Sequence, residues 1–159
     1  MTSASASKLV DVLRAEERVY RSLRGLLASE RERMIELDAE SLYELAMKKE
    51  ILAEEGRLAQ AARIQAAAEL ARALEIHDPN PTLGRLCAAL GDEAGPLREA
   101  QSRLMSIVKA VSELAEANQR LGGERLADVQ TTLRLLGRLA PAASRGPTPD
   151  RGQLVRRTA

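Results

Sequence analysis

Apolar residues recur every three or four positions along most of this chain, and no other feature constrains its fold as strongly. That spacing places the side chains on one face of an α-helix. From Ser7 to Leu37 the face is broad, as in the helix of a packed bundle rather than in a narrow two-stranded seam. We therefore expect a long first helix that packs in a bundle. Its apolar residues are Leu9, Leu13, Tyr20, Leu23, Leu27, Met34 and Leu37, flanked by Val12, Val19 and Leu26.

The segment LDAESLYE predicts the end of this helix and the start of a second one, from about Ala39 to Ile76. Asp38 or Ser41 is suited to cap the new helix, and Ser41 has the spacing of a capping box with Glu44. Alanine fills most of the second half and buries little area, so we expect weak packing at that end. The large apolar residues of the helix are Leu42, Leu45, Ile51, Leu52, Leu58, Ile64 and Leu70.

The segment HDPNP at 77–81 breaks the chain, because proline is not tolerated inside a helix. Thr82 can then cap a short helix, TLGRLCAAL, which ends at Gly91. A last long helix is predicted to begin between Asp92 and Pro96 and to run to about Leu139.

The remaining residues from 141 to 159 are rich in Pro, Gly, Ser and Arg, a composition that predicts a disordered basic tail. The expected fold is therefore all-α, an elongated antiparallel bundle of three long helices plus one short helix. The helical domain would occupy residues 1–140, and the tail would follow it.

Composition argues against nucleic acid and membrane as partners. The 24 Lys and Arg residues nearly balance the 23 Asp and Glu residues, so the concentrated basic surface that nucleic acid needs is not expected. Phe and Trp are absent from the sequence, which removes most platforms for base stacking. The single Cys87 indicates a reducing compartment. The first residues lack an apolar signal-peptide core, and no run approaches the length of a membrane span. We expect a cytoplasmic protein.

Residues suited to catalysis or to metal binding are scarce. His77 and Cys87 are each the only residue of their kind, so neither a structural metal site nor a nucleophile–base pair is expected. We interpret His77 as a turn residue and Cys87 as a small buried one. The carboxylates of ERERMIE at 30–36 alternate with arginines, which indicates a solvated helix face. The prediction is a protein without enzymatic activity and without a cofactor.

Two adjacent glycines, Gly122 and Gly123, interrupt the last helix, although each costs roughly 1 kcal/mol relative to alanine. The apolar stripe steps by five residues across them, which rotates its face. We hypothesise a hinge that lets the final segment dock on a partner; close helix packing is the alternative. The stripe comprises Leu97, Leu104, Val108, Val111, Leu114, Asn118 and Leu121 before the pair and Leu126, Val129, Leu133 and Leu136 after it.

The order of these features resembles the FlgN family of flagellar type III export chaperones over about residues 8 to 140. The segments that carry the resemblance are ELDAESLYELAMKKEIL, TLGRLCAAL, PLREAQSRLMSIVKAVSELAEANQRL and LADVQTTLRLLGRL. The best marks are the Lys49-Glu50 pair, the TLxxL helix, and Asn118 followed by a leucine three positions later. Their order and spacing matter more than any one of them.

The resemblance implies a cytoplasmic chaperone that binds hook–filament junction (hook-associated) proteins and delivers them to the flagellar export gate or its ATPase components. It implies no cofactor. In the family the end of the last helix takes the main part in binding. Ordinary helix formers would be expected where this chain has its glycines, so the resemblance leaves the continuity of that helix in question. The corresponding partner-binding residues are Leu121, Leu126, Val129, Leu133 and Leu136.

Two alternatives come from other classes of protein. A helical coiled-coil adaptor or structural component of a secretion complex would favour two very long, highly charged helices, which the HDPNP break does not fit. A nucleic-acid-associated regulator could use the Arg-rich tail, but the near-zero net charge argues against it. The sequence leaves the oligomeric state open, with a homodimer as one alternative.

Overall fold

The computed structural model describes residues 1–139, and every regular element in that range is a helix. Two 35-residue helices, α1 (Thr2–Glu36) and α2 (Ala39–Ala73), are followed by the eight-residue α3 (Leu83–Leu90). A turn of 3-10 helix, Gly91–Ala94, leads into the 45-residue α4 (Gly95–Leu139). The predicted all-α class is therefore confirmed. The tail that we predicted to be disordered, 141–159, lies outside the described residues.

The turn between α1 and α2 is built by local hydrogen bonds. Leu37 ends α1 in the left-handed conformation, with φ 58°, and the Asp38 N–H donates to the Arg33 carbonyl at 3.0 Å. Asp38 then caps α2, because its Oδ1 accepts from the Ser41 N–H at 3.1 Å. Its Oδ2 accepts from the Ser41 hydroxyl at 2.6 Å. Of the two predicted caps, Asp38 is the one that forms.

The connection between α2 and α3 also follows the sequence. Helix α2 ends at Ala73, three residues before the predicted end, and the Ile76 N–H closes the turn on the Ala71 carbonyl at 2.8 Å. Thr82 caps α3 as predicted, since its Oγ1 accepts from the Arg85 N–H at 3.2 Å. Gly91 ends α3 with φ 57° and ψ −120°, a conformation that favours glycine.

Helices α1 and α2 run antiparallel. Lys8 near the start of α1 contacts Glu69 near the end of α2, with 2.6 Å between Nζ and Oε2. Farther along α1, Glu30 pairs with Lys49 in the first half of α2. The order of the two contacts is reversed between the helices, as antiparallel packing requires.

The part of α4 up to Gly122 runs in the same direction as α1. Leu97 lies beside Val10, where both line a shallow cavity, and Asn118 bonds the carbonyl of Leu27 at 2.7 Å. The antiparallel description therefore needs a correction: it holds for α1 with α2, whereas α1 and α4 are parallel. When three long helices alternate in direction along the chain, the first and the third run parallel.

The alanine-rich end of α2 is well packed, so the prediction of weak packing there was wrong. Ala66, Ala67 and Ala71 are buried beside Leu70, which is fully buried. The short alanine side chains leave room for leucines contributed by α1, α3 and α4, and α3 covers this end. The largest fully buried side chains of the core are Leu9, Leu13, Leu70, Leu86 and Leu97.

The chain divides into two compact units, Met1–Gly122 and Gly123–Ala159. The hydrophobic core lies in the first unit, and the described part of the second is the end of α4. The predicted boundary of the domain at residue 140 stays a prediction. Within residues 1–139 no helix combines the length and the apolar character needed to cross a membrane.

Candidate functional site

The end of α4 carries an apolar stripe that is exposed among the described residues. Leu126, Val129, Leu133 and Leu136 are exposed, with 43 to 62 % of each residue accessible. Their spacing of three, four and three residues places them on one side of the helix over about 15 Å. We call these four residues the distal stripe. The fifth predicted binding residue, Leu121, is half-buried and belongs to the first unit.

The sequence interpretation missed one exposed leucine in this segment. Leu135 is 55 % accessible but lies on a different side of α4 from the distal stripe. The sequence does indicate this residue, because leucines stand side by side at 135 and 136 and two neighbouring helix positions do not share a face. With Leu136 on the distal stripe, Leu135 has to lie on another side of α4. Near the middle of the segment the Thr132 hydroxyl donates to the Asp128 carbonyl at 3.0 Å, which satisfies that side chain within the helix.

The two glycines stand at the junction of the two units, with helix on both sides. A methyl group at Gly122 would lie at ordinary contact distance from Met34, 3.5 Å from its Sδ, and at Gly123 it would meet nothing within 4 Å. Neither glycine has a positive φ. Close helix packing therefore explains neither residue, and the hinge stays a prediction.

A polar cluster joins three helices just before the glycines. Asn118 is buried, and its Nδ2 donates to the Leu27 carbonyl at 2.7 Å and to Glu30 Oε2 at 2.9 Å. Glu30 also accepts from Lys49 on α2. The side-chain Oδ1 of Asn118 is buried and has no hydrogen-bond partner among the described residues. The cluster fixes the alignment of α4 with α1 at this level, because an asparagine inside an apolar stripe tolerates few registers.

The position of Glu30 corrects the interpretation of 30–36 as a solvated helix face. Its carboxylate is half-buried and bridges α2 and α4 in the cluster described above. A second carboxylate, that of Glu16, is buried on the same helix and accepts from Arg63 Nε at 2.8 Å. Both carboxylates sit on α1 positions that face other helices, where an ion pair or hydrogen bonds must replace lost solvation.

The two candidate chemical residues lie where the sequence placed them. His77 is exposed in the connection after α2, and Cys87 is buried in α3. Burial raises the pKa of the Cys87 thiol, with a smaller opposing effect from Arg98, so the reactive thiolate is disfavoured. Among residues 1–139 no three His, Cys, Asp or Glu side chains are grouped to hold a metal ion.

Comparison with protein families gives an assignment that agrees with these features. The model of the family described as FlgN protein matches residues 1–145, which are 145 of the 159 residues. The match includes the α1–α2 turn, α3, both glycines and the distal stripe. No match was found among curated proteins or among solved structures. The match over most of its length shows that the chain belongs to the FlgN protein family.

Proposed function

We propose that this protein is a cytoplasmic flagellar export chaperone that binds hook–filament junction proteins and delivers them to the flagellar type III export apparatus. Membership of the FlgN family, a chaperone family, supports the class of function. The export gate or its ATPase components would receive the complex. The role requires no catalysis and no cofactor, and nucleic acid has no part in it.

The distal stripe is the observation that carries the proposal. Four large apolar residues on one face of α4 are exposed near the end of that helix. An amphipathic helix with such a face binds in an apolar groove of a partner, where burial stabilises the complex by about 25 cal/mol per Å² of apolar area. Leu121 would contribute at the edge of the surface, and Gly122 and Gly123 would let the segment adjust to the partner.

The test is calorimetric titration of the full chain with a purified hook–filament junction protein. Leu133→Ala and Leu136→Ala should each weaken binding about tenfold, the loss expected when a central apolar anchor is truncated. Leu135→Ala is the matched control, because Leu135 is as exposed and lies in the same segment but on another side of α4. It should leave the affinity nearly unchanged.

Equal losses in all three variants would contradict a stripe-specific interface. No binding by the unmodified chain would contradict the choice of partner. Circular dichroism should show nearly equal helicity in the three variants, since each residue is exposed.

A further inference from the structure

A second exposed apolar face lies on the first half of α2, in the other compact unit. Tyr43, Met47, Ile51 and Leu58 are 49 to 71 % accessible, although this helix buries Leu45 against the core. Their spacing of four, four and seven residues aligns them on one side of α2, opposite the core-facing residues. We call these four residues the outer stripe. From Tyr43 to Leu58 it extends over about 22 Å.

Isolated apolar residues on a surface are ordinary, but an aligned set marks an interaction site. The outer stripe does not stabilise the bundle, because its residues point away from the core. It gives α2 two apolar faces. The folded first unit therefore presents a preformed helix face to a partner, with little ordering needed on binding.

Carboxylates surround the outer stripe. Exposed acidic residues outnumber basic ones along it by five to two, and Arg57 is already paired with Glu54 at 2.7 Å. The side-chain bond from Arg57 lowers the pKa of Glu54, which sits between Ile51 and Leu58 on the same side of the helix. The other four carboxylates form no salt bridge within the described residues. The charged residues are Glu40, Glu44, Glu50, Glu54 and Glu55 on the acidic side and Lys48 and Arg57 on the basic side.

We propose that the outer stripe binds a basic amphipathic helix of a partner protein. An apolar face would pack on Met47, Ile51 and Leu58, and Lys or Arg residues beside that face would pair with the unpaired glutamates. Complementary charge of this kind selects the partner and speeds its association. A second copy of the stripe would place glutamates against glutamates, and an anionic membrane would be repelled in the same way.

This surface differs from the distal stripe in its helix and in its compact unit. The proposal therefore goes beyond the chaperone function and does not depend on it. The two proposed partners would each be recognised by a different helix face.

The experiment uses the full chain and two synthetic 21-residue helical peptides. Both peptides carry leucines at heptad a and d positions; one has lysine at the flanking positions and the other has glutamate there. Calorimetry should show binding of the lysine peptide and at least tenfold weaker binding of the glutamate peptide. The affinity for the lysine peptide should fall as the salt concentration rises, because exposed charge pairs are screened.

Two variants locate the binding site. Ile51→Gln combined with Leu58→Gln should weaken binding of the lysine peptide at least tenfold. Glu44→Lys combined with Glu50→Lys should weaken it too, while leaving the apolar residues intact. The control is Ile64→Gln, because Ile64 is a similarly exposed isoleucine on another side of α2. It should bind like the unmodified chain.

Failure of the lysine peptide to bind, or equal affinities for both peptides, would overturn the proposal. Sedimentation measures whether the chain forms a dimer. A dimer of the unmodified chain that dissociates in the Ile51→Gln/Leu58→Gln variant would identify the outer stripe as an interface between copies, which also overturns it. A monomer that binds only the lysine peptide supports it.

Discussion

Asn118 shows how one polar residue can set the alignment of helices in an apolar core. The residue occupies a position in the α4 stripe that a leucine would fill, and it is buried. Its Nδ2 donates to two groups on α1, the Leu27 carbonyl and the Glu30 carboxylate. Its Oδ1 lacks a hydrogen-bond partner among the described residues. Burying the unpaired Oδ1 lowers stability. We therefore attribute the presence of Asn118 to the register that it sets between α4 and α1 rather than to a net gain in folding free energy.

Replacing Asn118 by alanine should lower the free energy of unfolding by about 1 to 3 kcal/mol, because the Leu27 carbonyl and Glu30 lose a buried donor. Urea denaturation followed by circular dichroism measures the change. Gln119→Ala is the control, since Gln119 is exposed on the next position of α4. It should shift stability by less than about 0.5 kcal/mol. Equal effects of the two substitutions would show that the buried hydrogen bonds contribute nothing specific.

At the scale of elements, the starts of α2 and α3 are set by single residues whose role is chemical and local. Asp38 begins α2 and Thr82 begins α3, each with a side-chain oxygen that accepts from the backbone N–H three residues on. The first four N–H groups of a helix have no partner within it, so a cap defines where the helix starts. Helix α3 ends at Gly91, whose backbone conformation would be strained in a residue with a side chain.

Asp38 should make the stability of the α1–α2 turn depend on pH. The hydrogen bonds from Ser41 lower the pKa of Asp38 in the folded protein, helped by Arg33. Because the pKa of Asp38 is lower in the folded than in the unfolded protein, the ionised carboxylate stabilises the fold at pH values above its pKa in the unfolded chain, about 3.9. This stabilisation is lost as the pH falls through the pKa of Asp38 in the folded protein. The difference in melting temperature between the unmodified chain and Asp38→Ala should therefore be full at pH 6 and shrink below about pH 4.

The matched control for this prediction is Thr82→Ala, which removes a cap without an ionisable group. Its effect, about 1 kcal/mol at the helix start, should be independent of pH. A constant difference for Asp38→Ala across the same range would mean that the carboxylate charge does not matter at this turn.

The glycine pair concerns a single element, α4. Replacing Gly122 and Gly123 by alanine should stabilise the helix by up to ~2 kcal/mol, because both sites accept a methyl group without a clash. If partner binding requires a bend there, the same variant should bind more weakly, since the bent conformer becomes rarer. We expect this weakening in calorimetry with a hook–filament junction protein. An unchanged affinity would remove the hinge from the mechanism, and a higher one would show that the bound helix is straight.

At the scale of the whole molecule, the buried core and the proposed binding surface lie in different parts of the chain. The buried core belongs to Met1–Gly122, whereas the distal stripe belongs to the unit that begins at Gly123. The outer stripe of α2 is an exception, because it exposes apolar residues on a helix that the core needs.

A chain that ends at Gly122 should fold by itself. All core residues are retained, so its thermal unfolding should stay cooperative and its melting temperature should fall by only a few degrees. Differential scanning calorimetry measures both. The same chain should no longer bind a hook–filament junction protein, because the distal stripe is missing. A broad transition, or binding that survives the truncation, would contradict this separation of roles.

The sequence by itself determined the features that depend on neighbours along the chain. Helical periodicity identified four helices, and the caps at Asp38 and Thr82 and the stop at Gly91 followed from residue chemistry. The FlgN resemblance, carried by the order of short segments, was confirmed over residues 1–145. These predictions succeed because each interaction lies within a few residues, where sequence spacing and distance in space agree.

The tertiary structure alone decided what depends on residues far apart in the chain. Periodicity could not choose which apolar side of α2 faces the core, and the structure buries Leu45 while it exposes Ile51. It also buried the alanines near Leu70 and brought Glu30 to Lys49 and Asn118. Such outcomes depend on which helices become neighbours and in which direction they run. The packing of the whole core decides these neighbours and directions, and it depends on several segments of the chain at once. It therefore cannot be predicted from any single segment of the sequence.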